Sequence, residues 1–316
     1  MVKILVTGGA GNIGSALAKK LIENPDNYVV IVDNLITGSL HKLPDNSTGN
    51  WKFIRSNANN FNEISAVMIS YGFDYVFHYA ALVGVQRTLN NPTLVLDDIQ
   101  GIKNILDLSK NTGVKRVFFS SSSEVYGEPV EYPQNEDTTP LNSKLPYAIV
   151  KNVGEAFLKS YKKTYDLDYT IFRFFNTYGP NQSKDFVMLK FINACLSNEP
   201  ITIYGDGSQS RTFCFVDDNI EATTQAFYNN LFVNDVVNIG SDLEMSVKEL
   251  AELIISITKS KSKIEYLPAL KEGDMTRRKP DISKMKQILK RDLVNIYDGI
   301  HKVITGIKNS GQHINT

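Results

Sequence analysis

Ser120-Ser121-Ser122-Ser123-Glu124-Val125-Tyr126-Gly127 and Tyr147-Ala148-Ile149-Val150-Lys151 together carry hydroxyls, a carboxylate, a phenol and an ammonium. These groups suffice to take a proton from an alcohol as it is oxidised to a ketone, and then to act on that ketone. Tyr147 and Lys151 lie four apart, so on a helix they share a face and the cation can lower the phenol's pKa. A chain rich in tyrosine and lysine offers such pairs by chance. The spacing gains meaning only beside a dinucleotide site upstream.

The N-terminus supplies that site. Lys3-Ile4-Leu5-Val6 reads as a buried strand running into Thr7-Gly8-Gly9-Ala10-Gly11-Asn12-Ile13-Gly14, after which Ile13, Leu17 and Leu21 recur at helical spacing. Gly8, Gly11 and Gly14 permit a tight turn, bring backbone N–H groups against a pyrophosphate and let the helix pack close to the sheet. A second apolar strand, Tyr28-Val29-Val30-Ile31-Val32, ends in Asp33, where a carboxylate accepts bonds from adenosine ribose hydroxyls. Its charge repels a 2′-phosphate and no Arg follows it, so NAD is expected rather than NADP.

A chain of 316 residues with 42% hydrophobic content can bury a large core, as one big domain or two lobes. Formal net charge is zero with no basic stripe, which argues against nucleic acid as a partner. No apolar run is long enough to span a membrane, so none is expected as a partner. The start reads as a strand after Met1 rather than a signal peptide. Cys195 and Cys214 sit in apolar settings, make no disulfide framework and read as core residues; a reducing cytoplasm is the expected compartment. The four histidines are scattered, and no metal site is expected.

Short apolar strands at 2–7, 28–33, 52–55, 74–78, 116–121 and 169–174 alternate with amphipathic stretches such as 13–23, 61–70 and 99–111. That alternation predicts an α/β fold, a Rossmann doubly wound parallel sheet with helices on both faces. Val117-Phe118-Phe119 is then a central strand, and the serines sit at its carboxyl end, where ligands bind in open parallel sheets. Beyond residue 175 the pattern loosens, with loops at 176–181, 204–208 and 267–280. Helices return near 186–198, 217–230 and 246–258, the last with a Ser246/Glu249 capping box. The expected division is a dinucleotide-binding domain over 1–175 and a smaller, partly interleaved C-terminal α/β substrate lobe over 176–316. A frayed polar tail is expected from Asn309 onward.

With His78-Tyr79-Ala80-Ala81 and Arg173-Phe174-Phe175-Asn176-Thr177-Tyr178-Gly179-Pro180, these motifs resemble the extended short-chain dehydrogenase/reductase family over nearly the whole chain. Within it the chain is similar to the nucleotide-sugar epimerase, dehydratase and decarboxylase branch. The resemblance implies tightly bound NAD held by Gly8, Gly11, Asn12, Ile13 and Gly14, by Asp33 and Asn34, and by Asn57, Ala58, Ala80 and Ala81. It makes Tyr147 the base for the sugar 4-hydroxyl, with Lys151 lowering its pKa and holding the nicotinamide ribose. Ser122 would bond the reacting oxygen. Val85, Arg87 and Ser123 would line the sugar pocket, while Asn176, Arg211 and Arg278 would hold the nucleotide diphosphate. The implied partner is a nucleotide-diphosphate sugar, and relatives pair as homodimers through the helix bearing Tyr147.

Two positions depart from the family pattern: Asn57 stands where an adenine-binding Asp is usual, and Asp98 where an Asn is usual. Glu124 leaves the reaction open. The loop Val83-Gly84-Val85-Gln86-Arg87-Thr88 looks like the epimerases, and sugar 4-epimerisation is the first expectation. Glu124 itself, with Arg278 before Lys279-Pro280, resembles the UDP-glucuronate decarboxylases; in a 4,6-dehydratase Glu124 would abstract the C5 proton. Outside this class stand a non-catalytic NAD-binding sensor and a plain alcohol or steroid dehydrogenase. The intact Ser122, Tyr147 and Lys151 set argues against the first, and Arg211 with Arg278 against the second.

Overall fold

Strands buried on both faces need apolar side chains at consecutive positions. In the computed structural model, which describes residues 1–45, 48–128, 130–269 and 277–309, the predicted runs pair in parallel. They are β1 (Val2–Thr7), β2 (Asn27–Asp33), β3 (Trp51–Arg55), β4 (Tyr75–His78), β5 (Arg116–Ser122) and β6 (Asp168–Phe174). A further strand that the hydropathy pattern did not single out, β7 (Asp235–Ile239), pairs in parallel with β6. The order β7-β6-β5-β4-β1-β2-β3 makes a doubly wound α/β sheet, and strand order reverses between β1 and β4. A crevice at the carboxyl ends there is where a ligand fits.

Alternate residues of β1 enter opposite cores. Ile4 and Val6 pack with Phe77, Phe118, Leu17 and Leu21 on one face, and Leu5 with Val30, Val76, Ile102 and Ile105 on the other. Each such burial contributes about 1.5–3 kcal/mol, so the sheet is the rigid frame on which the loops are carried. The helix Pro146–Tyr165 starts on proline, whose missing N–H would have no partner in the first turn. It lies so close to β5 that a Cβ on Gly154 would sit 2.5 Å from the Phe119 ring. This approach brings Lys151 against the serines.

In the C-terminal part, Ile201–Tyr204 pairs with Ile264–Leu267, and Thr177–Tyr178 with Cys214–Phe215. Ser210–Thr212, which holds Arg211, pairs antiparallel with Glu244–Ser246. Three residues are too few to show an alternating pattern in the sequence. Helices cover Val187–Ser197, Val216–Tyr228 and Val247–Thr258, the last closed by the Ser246/Glu249 capping box. Two more, Ser283–Leu289 and Ile296–Asn309, were not anticipated. The tail beyond Asn309 and residues 270–276 of the 267–280 loop lie outside the described residues. Cys195 and Cys214 are free and buried. Among the described residues no helix is long and apolar enough to cross a membrane.

Candidate active site

A cavity of about 930 Å³ opens at the carboxyl ends of β1, β4 and β5. Gly8, at φ +68°, begins its floor, and a Cβ there would lie 2.6 Å from the Ala80 backbone nitrogen. A Cβ on Gly14 would lie 2.3 Å from the Gly8 carbonyl oxygen, so only glycine leaves this cradle open. Asn12, Ile13 and Gly14 line the cavity at the start of the helix Asn12–Ile22. First-turn N–H groups have no intrahelical acceptor, and the helix end favours an anion. The Asn12 Oδ1 atom is buried there without a hydrogen-bond partner.

Asp33 is pinned at the wall by two backbone donors, Ala10 N–H to Oδ2 at 3.0 Å and Leu35 N–H to Oδ1 at 2.8 Å. Each carboxylate oxygen keeps a lone pair for a ribose hydroxyl. Asn34, Asn57, Ala58, Ala80 and Ala81 line the same half. Asn57 Oδ1 accepts from the Asn59 N–H at 3.1 Å. Asp98 acts as a strut between two loops: Asn59 Nδ2 donates to Oδ1 at 2.9 Å, and the Leu82 N–H to Oδ2 at 2.8 Å. Cradle, anion-favouring helix end and anchored carboxylate fit a dinucleotide. Lys42 also lines this half, with its pKa lowered by burial against the pull of Asp33. Sequence reasoning missed it, because it sits in an irregular stretch with no motif.

At the other half, Ser122, Ser123, Glu124, Tyr147 and Lys151 meet on one wall. Ser122 Oγ accepts from the Glu124 N–H at 3.2 Å. Lys151 is buried, and its Nζ donates to the Ser120 carbonyl at 2.6 Å and lies 5.7 Å from the Tyr147 ring centre. Burial lowers its pKa to about 8, opposed by Asp98 and Glu155. The strongest influences on the phenol are groups other than this cation. Tyr147 is pushed above its ordinary value, first by burial and then by the Glu124 charge, with Ser122 and Arg278 pulling the other way.

Arg278 stands at this reacting end. Its Nη2 pairs with Glu124 Oε1 at 2.7 Å, and its Nη1 lies 3.5 Å from Ser123 Oγ. Both side chains are largely buried, 6% and 17% exposed, while Glu124 Oε2 is buried with no partner. A guanidinium so placed is held against the serine–tyrosine wall. Of the two roles expected for Arg278, diphosphate clamp and the arginine that resembles the decarboxylases', its contacts to Glu124 and Ser123 sit with the second. Arg87 lines the cavity, donating to the Val83 carbonyl at 2.9 Å and pairing with Asp185 at 2.9 Å. Asn176 lines it too, at φ +35°, and donates to the Thr212 carbonyl at 2.9 Å. Val85 opens the short helix Val85–Asn90, but its side chain lies outside the described set. Arg211 is not among the lining residues; its Nη1 donates to the Ser210 carbonyl at 2.8 Å.

The sequence model of the NAD dependent epimerase/dehydratase family matches residues 4–240. A putative UDP-glucose 4-epimerase of Methanocaldococcus jannaschii is 33% identical, over 98% of this chain and 99% of the relative. A UDP-N-acetyl-alpha-D-glucosaminuronate decarboxylase of Bacillus cytotoxicus is 37% identical, over 90% of this chain and 91% of the relative. The crystal structure of UDP-glucose 4-epimerase with UDP-glucose from Thermotoga maritima is similar with a TM-score of 0.91 at 32% identity, over 98% of this chain and 99% of that one.

Proposed function

The chain belongs to the NAD-dependent epimerase/dehydratase family of nucleotide-sugar enzymes, and from that premise we propose that it oxidises C4 of a nucleotide-diphosphate uronate and releases the C6 carboxyl as carbon dioxide. The observation that carries this reading is the Glu124–Arg278 pair, 2.7 Å apart beside Tyr147. A neutral hexose gains little by lying against a buried ion pair. A uronate carboxylate can take Glu124's place on the guanidinium, since a fork of N–H donors suits any carboxylate.

NAD, when bound, would supply the acceptor for the C4 hydride and the donor that restores it. Tyr147 takes the C4 hydroxyl proton as the hydride leaves, and Ser122 donates to the oxygen that becomes the ketone. The carboxylate is then β to that ketone. Breaking C5–C6 sends the electron pair to the C4 oxygen as carbon dioxide departs, and the Ser122 and Tyr147 hydroxyls stabilise the negative oxygen. C5 takes a proton from the Glu124 side, C4 takes back its hydride, and Tyr147 returns its proton. The sum is one uronate and one proton converted to a pentose and carbon dioxide, with no net redox change. Asn176 and Arg87 are the proposed contacts to the rest of the substrate.

A second reading, 4-epimerisation, is favoured by one feature: Glu124 is already held by Arg278, and epimerisation asks nothing of it beyond that pair. A panel of nucleotide hexoses and uronates, read by product mass and sugar NMR, separates the two. Loss of carbon dioxide from a uronate is the expected result. Inversion at C4 with unchanged mass supports the second reading, and no conversion of any nucleotide sugar refutes both.

A further inference from the structure

The reacting groups stand on three separate pieces of chain. Tyr147 and Lys151 are on the helix Pro146–Tyr165, Ser122 and Glu124 are at the end of β5, and Arg278 is on the segment that precedes Ser283–Leu289. Behind the cavity wall, one row of polar side chains joins all three. Ser121, Arg173 and Asn238 stand opposite one another on β5, β6 and β7, and directly opposed residues share a face. All three are buried.

Arg173 is 1% exposed. Its Nε and Nη2 donate to the two oxygens of Glu155 at 2.9 and 2.7 Å. Glu155 is one turn past Lys151 on the same helix and also accepts from Ser121 Oγ at 2.6 Å. Arg173 Nη1 donates to the Tyr126 hydroxyl at 2.7 Å, and that hydroxyl donates to Asn238 Oδ1 at 2.8 Å. Tyr126 is two residues past Glu124. Asn238 Nδ2 donates to the carbonyls of Gln134 and Asp281 at 2.9 and 3.2 Å. The Gln134 N–H in turn donates to the Lys279 carbonyl at 2.7 Å, so the network ends on the backbone of the residues that directly follow Arg278.

We propose that this buried network sets the Glu124–Arg278 pair against Tyr147, with Arg173 and Tyr126 as positioning residues for the step that follows C4 oxidation. Neither residue is among those lining the cavity, so their role is argued through the groups they hold. The network has two arms. Glu155 holds the helix of Tyr147 and Lys151, which oxidation requires; Tyr126 and Asn238 hold Glu124 and Arg278, which act on the ketone. Tyr126→Phe keeps the ring in the core and cuts only the second arm. The inference rests on the two-step reading of the reaction given above.

The test is a single turnover of NAD-loaded Tyr126→Phe with the nucleotide sugar that the wild type converts best, following reduced-nicotinamide absorbance and product together. Reduced cofactor should form within about two-fold of the wild-type rate and then accumulate, while product formation falls at least about ten-fold with KM nearly unchanged. Both steps slowing in parallel, or neither moving, would overturn the positioning role. Asn238→Ser cuts the same arm one bond further on and carries the same expectation if Tyr126→Phe does not hold NAD. Wild-type protein that reduces its cofactor with no nucleotide sugar overturns the two-step reading along with the network. Wild-type turnover with an unsplit effect in the variants overturns the network alone.

Discussion

Glu124→Gln removes one charge with almost no change of shape, and the structure gives that charge two opposite effects. On Tyr147 it opposes catalysis: after burial, Glu124 is the next cause of the phenol's raised pKa. Without it the pKa falls. A base works in its deprotonated form, so the rising limb of the oxidation step moves to lower pH, and oxidation at neutral pH is maintained or faster. On the ketone Glu124 assists: once Arg278 has exchanged partners, the carboxylate takes a proton from solvent and passes it to C5. Losing a positioned acid–base group costs about 10²–10⁴-fold in that step, or about 3–5 kcal/mol of barrier. Gln keeps a neutral hydrogen bond to Arg278 across the present 2.7 Å contact. The fold then loses only the difference between a charged and a neutral bond, about 1–2 kcal/mol, or a few degrees in Tm. Stopped-flow absorbance and mass of the quenched product read both steps. The expected trace is prompt cofactor reduction that persists, with pentose formation down about 100-fold or more. Carbon dioxide release within about three-fold of wild type would show the carboxylate to be structural. A parallel loss of cofactor reduction would show that its charge does not oppose the phenol.

Tyr147→Phe removes the proposed base, so turnover falls by about 10²–10⁴-fold while NAD co-purifies as in the wild type, read from the absorbance of cofactor released on denaturation. A near-normal rate would dismiss the assignment. Asp33→Asn weakens the bonds expected with the adenosine ribose by about 1.5–3 kcal/mol, roughly ten-fold or more in NAD affinity; an unchanged titration curve would place the ribose elsewhere. His78 is 3% exposed, with Nδ1 in a 2.8 Å bond to Thr7 Oγ1, and burial, with Lys151 adding to it, takes its pKa from 6.5 down to about 3. Its folded pKa lies below the unfolded one, so protons bind the unfolded chain first. The stability it contributes is therefore full above pH 6.5 and declines between there and pH 3 by up to about 1.4 kcal/mol per pH unit. Urea midpoints measured across that range should fall less steeply in His78→Asn, and an equal slope would refute the assignment.

What was legible in the sequence was local. A glycine that a Cβ would block, a carboxylate at the end of an apolar strand and two residues one helical turn apart each make their demand within a few neighbours. Gly8, Gly14, Asp33, Tyr147 and Lys151 accordingly line one cavity. The phenol's titration was not legible, because burial and the Glu124 charge are set by the wall as a whole. For Arg278 the sequence leaves two roles open, because guanidinium chemistry suits a phosphate or a carboxylate; its contact with Glu124 depends on the pairing of residues 279–281 with Gln134, which no local pattern shows. Strand β7 escaped notice because Asn238 interrupts its short apolar run, and Arg173 interrupts β6 in the same way. Those two interruptions face each other in the sheet, with Ser121 next in the row. A polar side chain costs free energy inside a fully buried strand unless it meets a partner. Polar breaks in successive core strands therefore mark which residues stand side by side. Read as register marks rather than as defects, Arg173 and Asn238 place β7 against β6 and lead from there to Tyr126, Glu124 and Arg278.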